Sequence, residues 1–286
     1  MGNVALGRVI EALRRSTVIV RAGKGRDAGN GSGVVLDGDR VITNAHVART
    51  NVLQVQSWEG NCVEARISIA DRFRDLAVLT APGLNAPAAY LGDSASLRIG
   101  EPVVAVGNPL GFTGAASVGT VKASTSESVV LLYGQRWLCT DVHLAPGNSG
   151  GPLADSKGQV IGINTMVITG GLALAVPSSA VQALVARLKH GRSLGVTVRP
   201  VRIDGGRHGM LLLELARAGA AERASLLPGD VLLAGNGLSF EVTEDLQRAI
   251  DDAEGGILRL EFARGGEKKL RHVAVQLGPE PAASAA

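Results

Sequence analysis

Gly147-Asn148-Ser149-Gly150-Gly151-Pro152-Leu153 sets a serine among glycines. A serine hydroxyl is a weak nucleophile at neutral pH and attacks a carbonyl only with a base in contact. The reaction also needs backbone N–H groups aimed at the oxygen that becomes charged. Gly147 lets the chain turn tightly enough for its own N–H and that of Ser149 to point at one spot, and Gly150 and Gly151 leave room for a second backbone. These residue types in this order point to acyl transfer with Gly147 and Ser149 as the oxyanion hole. A glycine-rich hairpin that happens to carry a serine has the same letters, so the partners decide between the two.

The chain has five histidines: His46, His143, His190, His208 and His272. His46 closes the apolar run Val41-Ile42-Thr43-Asn44-Ala45-His46. His190 falls in the last turn of an expected helix, where a cation suits the dipole. His208 sits in a Gly/Arg turn and His272 in a late strand, both expected on the surface. Asp75 precedes the apolar run Leu76-Ala77-Val78-Leu79, and a carboxylate there is costly unless paired. A histidine N–H is its natural partner. Asp71, the competing acid, reads as an exposed loop charge. The order His46, Asp75, Ser149 is that of chymotrypsin. Gly147-Asn148-Ser149-Gly150-Gly151 also fits the Gly-x-Ser-x-Gly elbow of an α/β-hydrolase esterase. That fold runs Ser, Asp, His and needs strands alternating with helices, which this chain lacks.

Short β-type runs position these residues: Thr17–Val20, Val34–Leu36, Leu53–Val55, Ala77–Leu79, Val103–Val106 and Val160–Ile163. Many short strands divided by Gly, Asn, Asp and Pro predict a sandwich or barrel. Before them, Val4, Leu6, Val9, Ile10 and Leu13 predict a short amphipathic helix within residues 1–15. A longer helix follows Pro177, with Val181, Leu184, Val185 and Leu188 on one face and Gly191 at its end. A first domain over 1–191 and a second over 192–278 follow, with 279–286 a Pro/Ala-rich disordered tail. The second domain reads as mixed α and β. Its expected strands begin at Val196 and Met210 and follow Gly229-Asp230, its expected helices cover Ala218–Ala224 and Glu244–Ala253, and two last strands end near Leu277.

Gly31-Ser32-Gly33-Val34-Val35, Thr43-Asn44-Ala45-His46-Val47, Asp75-Leu76-Ala77-Val78-Leu79, Gly107-Asn108-Pro109-Leu110-Gly111 and the Ser149 motif resemble the HtrA/Deg serine proteases. The resemblance runs from about residue 16 to 277. It implies a mostly β chain: a chymotrypsin-like double β-barrel followed by a small α+β PDZ domain. It also implies ATP-independent endoproteolysis of unfolded or damaged proteins, with no metal or organic cofactor. Ser149 is then the nucleophile, His46 the base and Asp75 its orienting partner. His143, six residues before the serine, falls near the floor of the primary pocket, where the family usually has a small residue. Ala145 stands where relatives often carry Asn. Ile163, Asn164 and Thr165 resemble the segment that pairs with substrate. Ser193-Leu194-Gly195-Val196 resembles the PDZ carboxylate loop. A peptide with an apolar C-terminus would lie beside Val196, against the helix bearing Leu246 and Ile250. Ser225 replaces a common glycine. Family trimers often use N-terminal aromatics, but the first aromatic here is Trp58, so a homo-oligomer would rest on other contacts.

Composition narrows the rest. With 45% hydrophobic and 19% charged residues the chain can bury a core. Aromatics at 3% and a net charge of +3 imply no nucleic-acid partner. Arg264, Lys268, Lys269 and Arg271 read as a solvated strand edge. Cys62 and Cys139 make neither a disulfide framework nor a zinc site and read as small core residues. No integral membrane segment and no export signal are expected, so the chain reads as cytoplasmic as written, whereas the resemblance implies the cell envelope or periplasm. The rival to a protease is a catalytically silent chaperone that works through its peptide-binding domain.

Overall fold

The structure, a computed structural model, describes residues 3–23, 29–50, 52–123, 130–132, 135–168, 170–190, 192–203, 206–265 and 270–278. The expected tail, Lys268, Lys269 and Gly191 lie outside the described residues. Helix α1 spans Asn3–Ser16. Its Leu13 is buried, and the hydroxyls of Ser16 and Thr17 both donate to the Leu13 carbonyl, at 3.1 and 2.7 Å. That carbonyl is one of the acceptors a helix end leaves without an intrahelical donor.

Six strands follow: β1 (Thr17–Ala22), β2 (Gly29–Asp37), β3 (Arg40–Thr43), β4 (Val52–Gln56), β5 (Cys62–Asp71) and β6 (Leu76–Thr80). They close into a barrel in the order β1-β2-β3-β6-β5-β4, around Val20, Val35, Leu53 and Leu79. Closure removes the sheet edges and decides between the expected sandwich and barrel. Cys62 corrects its expected place in the core. In β5 it shares the outward face with Glu64, Arg66 and Ser68, while Ala65 and Ile69 point in, so strand periodicity exposes it.

A second sheet comprises β7 (Pro102–Gly107), β8 (Ala115–Ala123), β9 (Val130–Leu132), β10 (Gln135–Thr140), β11 (Pro152–Ala154), β12 (Val160–Val167) and β13 (Ala173–Pro177). Its order is β13-β12-β11-β7-β8-β10-β9, and β13 also pairs with β10, so six of its strands close into a second barrel. Val103, Leu138, Leu153 and Ile161 fill it. Cys139 is buried there, and desolvation, followed by the Asp141 charge, pushes its thiol pKa up.

Helix α2 (Ser178–His190) buries Val181 and Leu184, and a second compact unit begins after Leu184. It contains β14 (Val196–Arg202), β15 (His208–Leu215), α3 (Ala220–Arg223), β16 (Val231–Gly235), β17 (Leu238–Ser239), α4 (Thr243–Asp251), β18 (Ile257–Ala263) and β19 (Arg271–Gln276). The sheet runs β14-β15-β16-β18-β19, with β17 on β16. Met210, Leu232, Phe240 and Leu258 lie in its core. His208 opens β15 instead of lying in a turn, and it is exposed, as is His272. Helix α3 is shorter than its pattern predicts because Ala218 has φ 56°, a left-handed conformation that no helix contains. Ser225 likewise has φ 58°, which explains why glycine suits that position.

Arg264 departs from the expected solvated edge. Its Nε and Nη2 donate to the two carboxylate oxygens of Asp230, each at 2.7 Å, and the Asp230 side chain is 1% exposed. The guanidinium also lies 5.3 Å from the Phe262 ring centroid. A buried carboxylate without its partner is strongly destabilising. Arg264→Leu is expected to lower the stability of this unit by about 3 kcal/mol, measured as a fall in its urea midpoint.

Candidate active site

Strands β3 and β6 are antiparallel, and their last paired residues are Thr43 and Ala77. The residues just past the end of β3 therefore meet those just before β6. Asn44 Nδ2 donates to the Asp75 carbonyl at 2.8 Å. The His46 backbone N–H donates to Asp75 Oδ1 at 2.8 Å, and His46 Nδ1 lies 2.6 Å from Asp75 Oδ2. Both carboxylate oxygens are thus engaged by one residue, which orients the ring and leaves Nε2 directed elsewhere. Asp75 has φ 55°. Aspartate tolerates this left-handed region better than most side chains, and strain of this kind gathers at functional sites.

Asp71 is not the exposed charge its position suggests. It accepts the Arg74 N–H and guanidinium, both at 2.9 Å, and its side chain is 10% exposed. A partner three residues away holds it in place.

Ser149 lies in the loop between β10 and β11. Asn148 N–H donates to Ala145 O at 3.0 Å and Gly151 N–H to Asn148 O at 3.0 Å, which winds the loop into tight turns. Gly147 and Gly150 have φ 105° and 85°. A Cβ on Gly150 would overlap Ser32 O and Thr43 Oγ1, so only glycine fits. The loop is stitched to the first barrel by Ser32, whose N–H donates to Ser149 O at 2.8 Å and whose Oγ donates to Gly147 O at 2.7 Å. It is stitched to β12 by Gly150 N–H on Asn164 O at 2.8 Å. Among the described residues, neither the Gly147 N–H nor the Ser149 N–H has a protein acceptor.

The Ser149 hydroxyl donates to the Thr165 carbonyl, at 3.0 Å. Direct hydrogen bonding of this hydroxyl to His46 is the natural expectation from the sequence, and here the Thr165 carbonyl takes its place. Asn44 links the two halves: its Nδ2 also donates to Thr165 Oγ1, at 3.0 Å. Asn44, Ser32 and Thr165 Oγ1 are contributors the sequence reading missed, although Asn44 and Ser32 lie inside the motifs.

The expected specificity residues fare differently. His143 is exposed, with its N–H on Ser117 Oγ at 2.8 Å, whereas a pocket floor would be enclosed. Ile163 is paired with β11 and β13, and the Asn164 backbone is taken by Gly150 N–H and Gly151 O, so neither is open to a further strand. The register shift between Asn164 and Met166 skips Thr165, and beyond it Met166 and Val167 are exposed. Met166 and Val167 still pair with Leu174 and Ala173 of β13, while β11 has no partner for them on the other side.

In the second unit Gly195 has φ 71° and its N–H donates to Ser193 Oγ at 3.0 Å. Leu194, Leu246 and Ile250 belong to the buried core, while Val196 is half-buried on β14, an edge strand. Among the described residues no group of three or more His, Cys, Asp or Glu is placed to hold a metal ion.

Comparison with known proteins adds to this geometry. Residues 31–163 match a trypsin-like peptidase domain. The chain is 33% identical to HhoB of Synechocystis, described as a serine protease, over 90% of this chain and 68% of that protein. It is 32% identical to a DegP-like periplasmic serine endoprotease of Ectopseudomonas mendocina, over 90% of this chain and 59% of that one. For DegP-like relatives of Chlamydia the chain spans about half of their length, 49%. Among solved structures, the HtrA-type protease AlgW with a tripeptide is 27% identical with a TM-score of 0.64, covering 96% of this chain and 97% of that one. The Yersinia pestis serine endoprotease shares the fold, with 23% identity and a TM-score of 0.65 over 96% of this chain and 98% of that one.

Asn44 is fully buried. Asn44→Ala leaves the Asp75 carbonyl and the Thr165 hydroxyl each short of a donor. A loss of about 1–3 kcal/mol in unfolding free energy is expected, read by thermal or urea denaturation.

Proposed function

Because the chain belongs to the HtrA-type family of trypsin-like serine proteases, we propose that it is an ATP-independent endopeptidase acting on unfolded or damaged polypeptides. The observation that carries this reading is the His46–Asp75 pair, with ring and backbone N–H on one carboxylate. Ser149 attacks the scissile carbonyl while His46 Nε2 takes its proton. Asp75 holds the imidazole in the tautomer with Nδ1 protonated and stabilises the imidazolium. The free N–H groups of Gly147 and Ser149 receive the oxyanion. His46 then protonates the leaving amine, and water repeats the cycle on the acyl-enzyme.

An extended substrate would pair from Thr165 toward Val167. Its N–H on Thr165 O would displace the Ser149 hydroxyl and free it for His46. Unfolded chains suit such a site because main-chain pairing is indifferent to sequence. His143, being exposed, would touch substrate at the mouth of the pocket. The second unit is read as a PDZ domain spanning 192–278, capturing apolar C-termini by strand addition to β14 with Gly195 at the carboxylate. The DegP-like relatives are named as periplasmic, and the cell envelope is the proposed location. No described helix is long and apolar enough to cross a membrane. A homotrimer is proposed from the family.

One observation favours the second reading, a resting chaperone: the Ser149 proton is given to Thr165 O. A fluorophosphonate probe separates the two. The protease reading expects covalent labelling at Ser149, lost in Ser149→Ala together with casein digestion. Asp75→Asn is expected to lower kcat by about 10⁴. Wild-type protein that resists the probe yet binds C-terminal peptides would overturn the protease reading in favour of the chaperone.

A further inference from the structure

We propose that Arg14 of the N-terminal helix is a positioning residue for the oxyanion amides, acting through the loop that follows β7. The inference rests on the protease reading and names a residue outside its motifs. Arg14 Nε donates to the Gly114 carbonyl at 2.6 Å, and its guanidinium lies 5.5 Å from the Trp58 ring centroid. Trp58 belongs to the turn between β4 and β5 of the first barrel. Gly114 is wedged between the two: a Cβ there would overlap the Trp58 ring and sit 3.0 Å from Arg14 Cγ. The Gly114 N–H donates to Asn108 Oδ1 at 2.9 Å, which cinches the loop.

That loop bears on Gly147 in two ways. Leu110 N–H donates to the Pro146 carbonyl at 3.1 Å. No peptide bond in the described chain is cis. In a trans peptide the carbonyl and the following N–H point in opposite directions, so this bond turns the Gly147 N–H away from the loop. In addition, Asn108 donates to Ser32 Oγ from its N–H at 2.9 Å and from Nδ2 at 3.1 Å, and Ser32 Oγ in turn holds Gly147 O. The loop thus holds the Pro146–Gly147 peptide directly and the Gly147–Asn148 peptide through Ser32, and Arg14 grips its far end. Leu110 itself has φ 52° and is largely exposed, and the start of the loop is also tied to β1 by Asn108 Nδ2 on Val18 O at 3.0 Å.

The test compares Arg14→Ala, Arg14→Lys and Arg15→Ala in the full chain. Arg15, exposed and bonded to Glu11, serves as the helix control. Fluorophosphonate labelling rate, kcat and KM on a fluorogenic peptide, amide exchange over 108–115 and melting temperature are measured. Arg14→Ala is expected to slow labelling and lower kcat about tenfold, a fraction of the 10²–10³ lost with an oxyanion donor. KM should stay within about twofold, because an oxyanion donor acts mainly in the transition state, while exchange over 108–115 quickens. Arg14→Lys, which keeps a donor, should recover most of kcat, and Arg15→Ala should match wild type. Unchanged kcat and exchange in Arg14→Ala would overturn the inference while leaving the protease reading intact. Parallel losses of kcat, KM and melting temperature that Lys does not rescue would also overturn it, reducing Arg14 to a tether of the helix. A wild-type chain that takes no label overturns the protease reading and this inference with it.

Discussion

The antiparallel ladder between β3 and β6 makes a carboxylate and an imidazole neighbours. His46 and Asp75 are 29 positions apart in the chain, yet the register pairs Thr43 with Ala77 and leaves the two just beyond its end. There the Asp75 backbone is in the left-handed region while its side chain accepts from both the ring and the backbone of His46. A carboxylate at the mouth of an apolar barrel needs such partners, because its alternative is an uncompensated, half-desolvated charge. The surrounding ladder over-determines the backbone and so can hold a conformation that an isolated loop would leave.

A second constraint is the seam between the barrels, where close approach of two backbones excludes side chains. Ser32 faces the loop of Ser149 with an N–H and a hydroxyl, and Gly150 fits against Ser32 and Thr43 only without a Cβ. Asn44 ties the acid side to Thr165 on the other barrel. The Ser149 hydroxyl has one proton, and in this structure the Thr165 carbonyl holds it, whereas the proposed mechanism requires the imidazole to take it. On the proposed mechanism, a group that engages Thr165 O would release the serine proton, so substrate alignment and activation would share one atom.

The second unit follows the same economy on a smaller scale. A sheet and two short helices enclose a core, and one buried carboxylate, Asp230, is neutralised by a bidentate arginine instead of being left to water. Leu246 and Ile250, which lie on one face of α4, spend that face on the core. Strands β14 and β19 form the two edges of the sheet, and the glycine turn before β14 has its Gly195 N–H on Ser193 Oγ.

Much of this was legible in the residues. Short apolar runs marked six of the twelve barrel strands, the acid stood before a buried run, and glycines flanked the serine. These are local facts about side-chain volume, φ and hydration, and they depend on neighbours a few positions away. Cys62, Asp71 and Arg264 were misread where the deciding partner was a strand face, an arginine three residues on, or a carboxylate 34 positions distant. Ile163 and Asn164 resemble a substrate-pairing segment, but β11, β13 and the Gly150-Gly151 turn already take their backbone. The order of residues settles which chemical groups exist and which local turns carry them. Which acceptor holds the Ser149 proton and which loop bonds the Pro146 carbonyl follow from contacts between distant segments, because they hang on the angles of a few hydrogen bonds across the barrels.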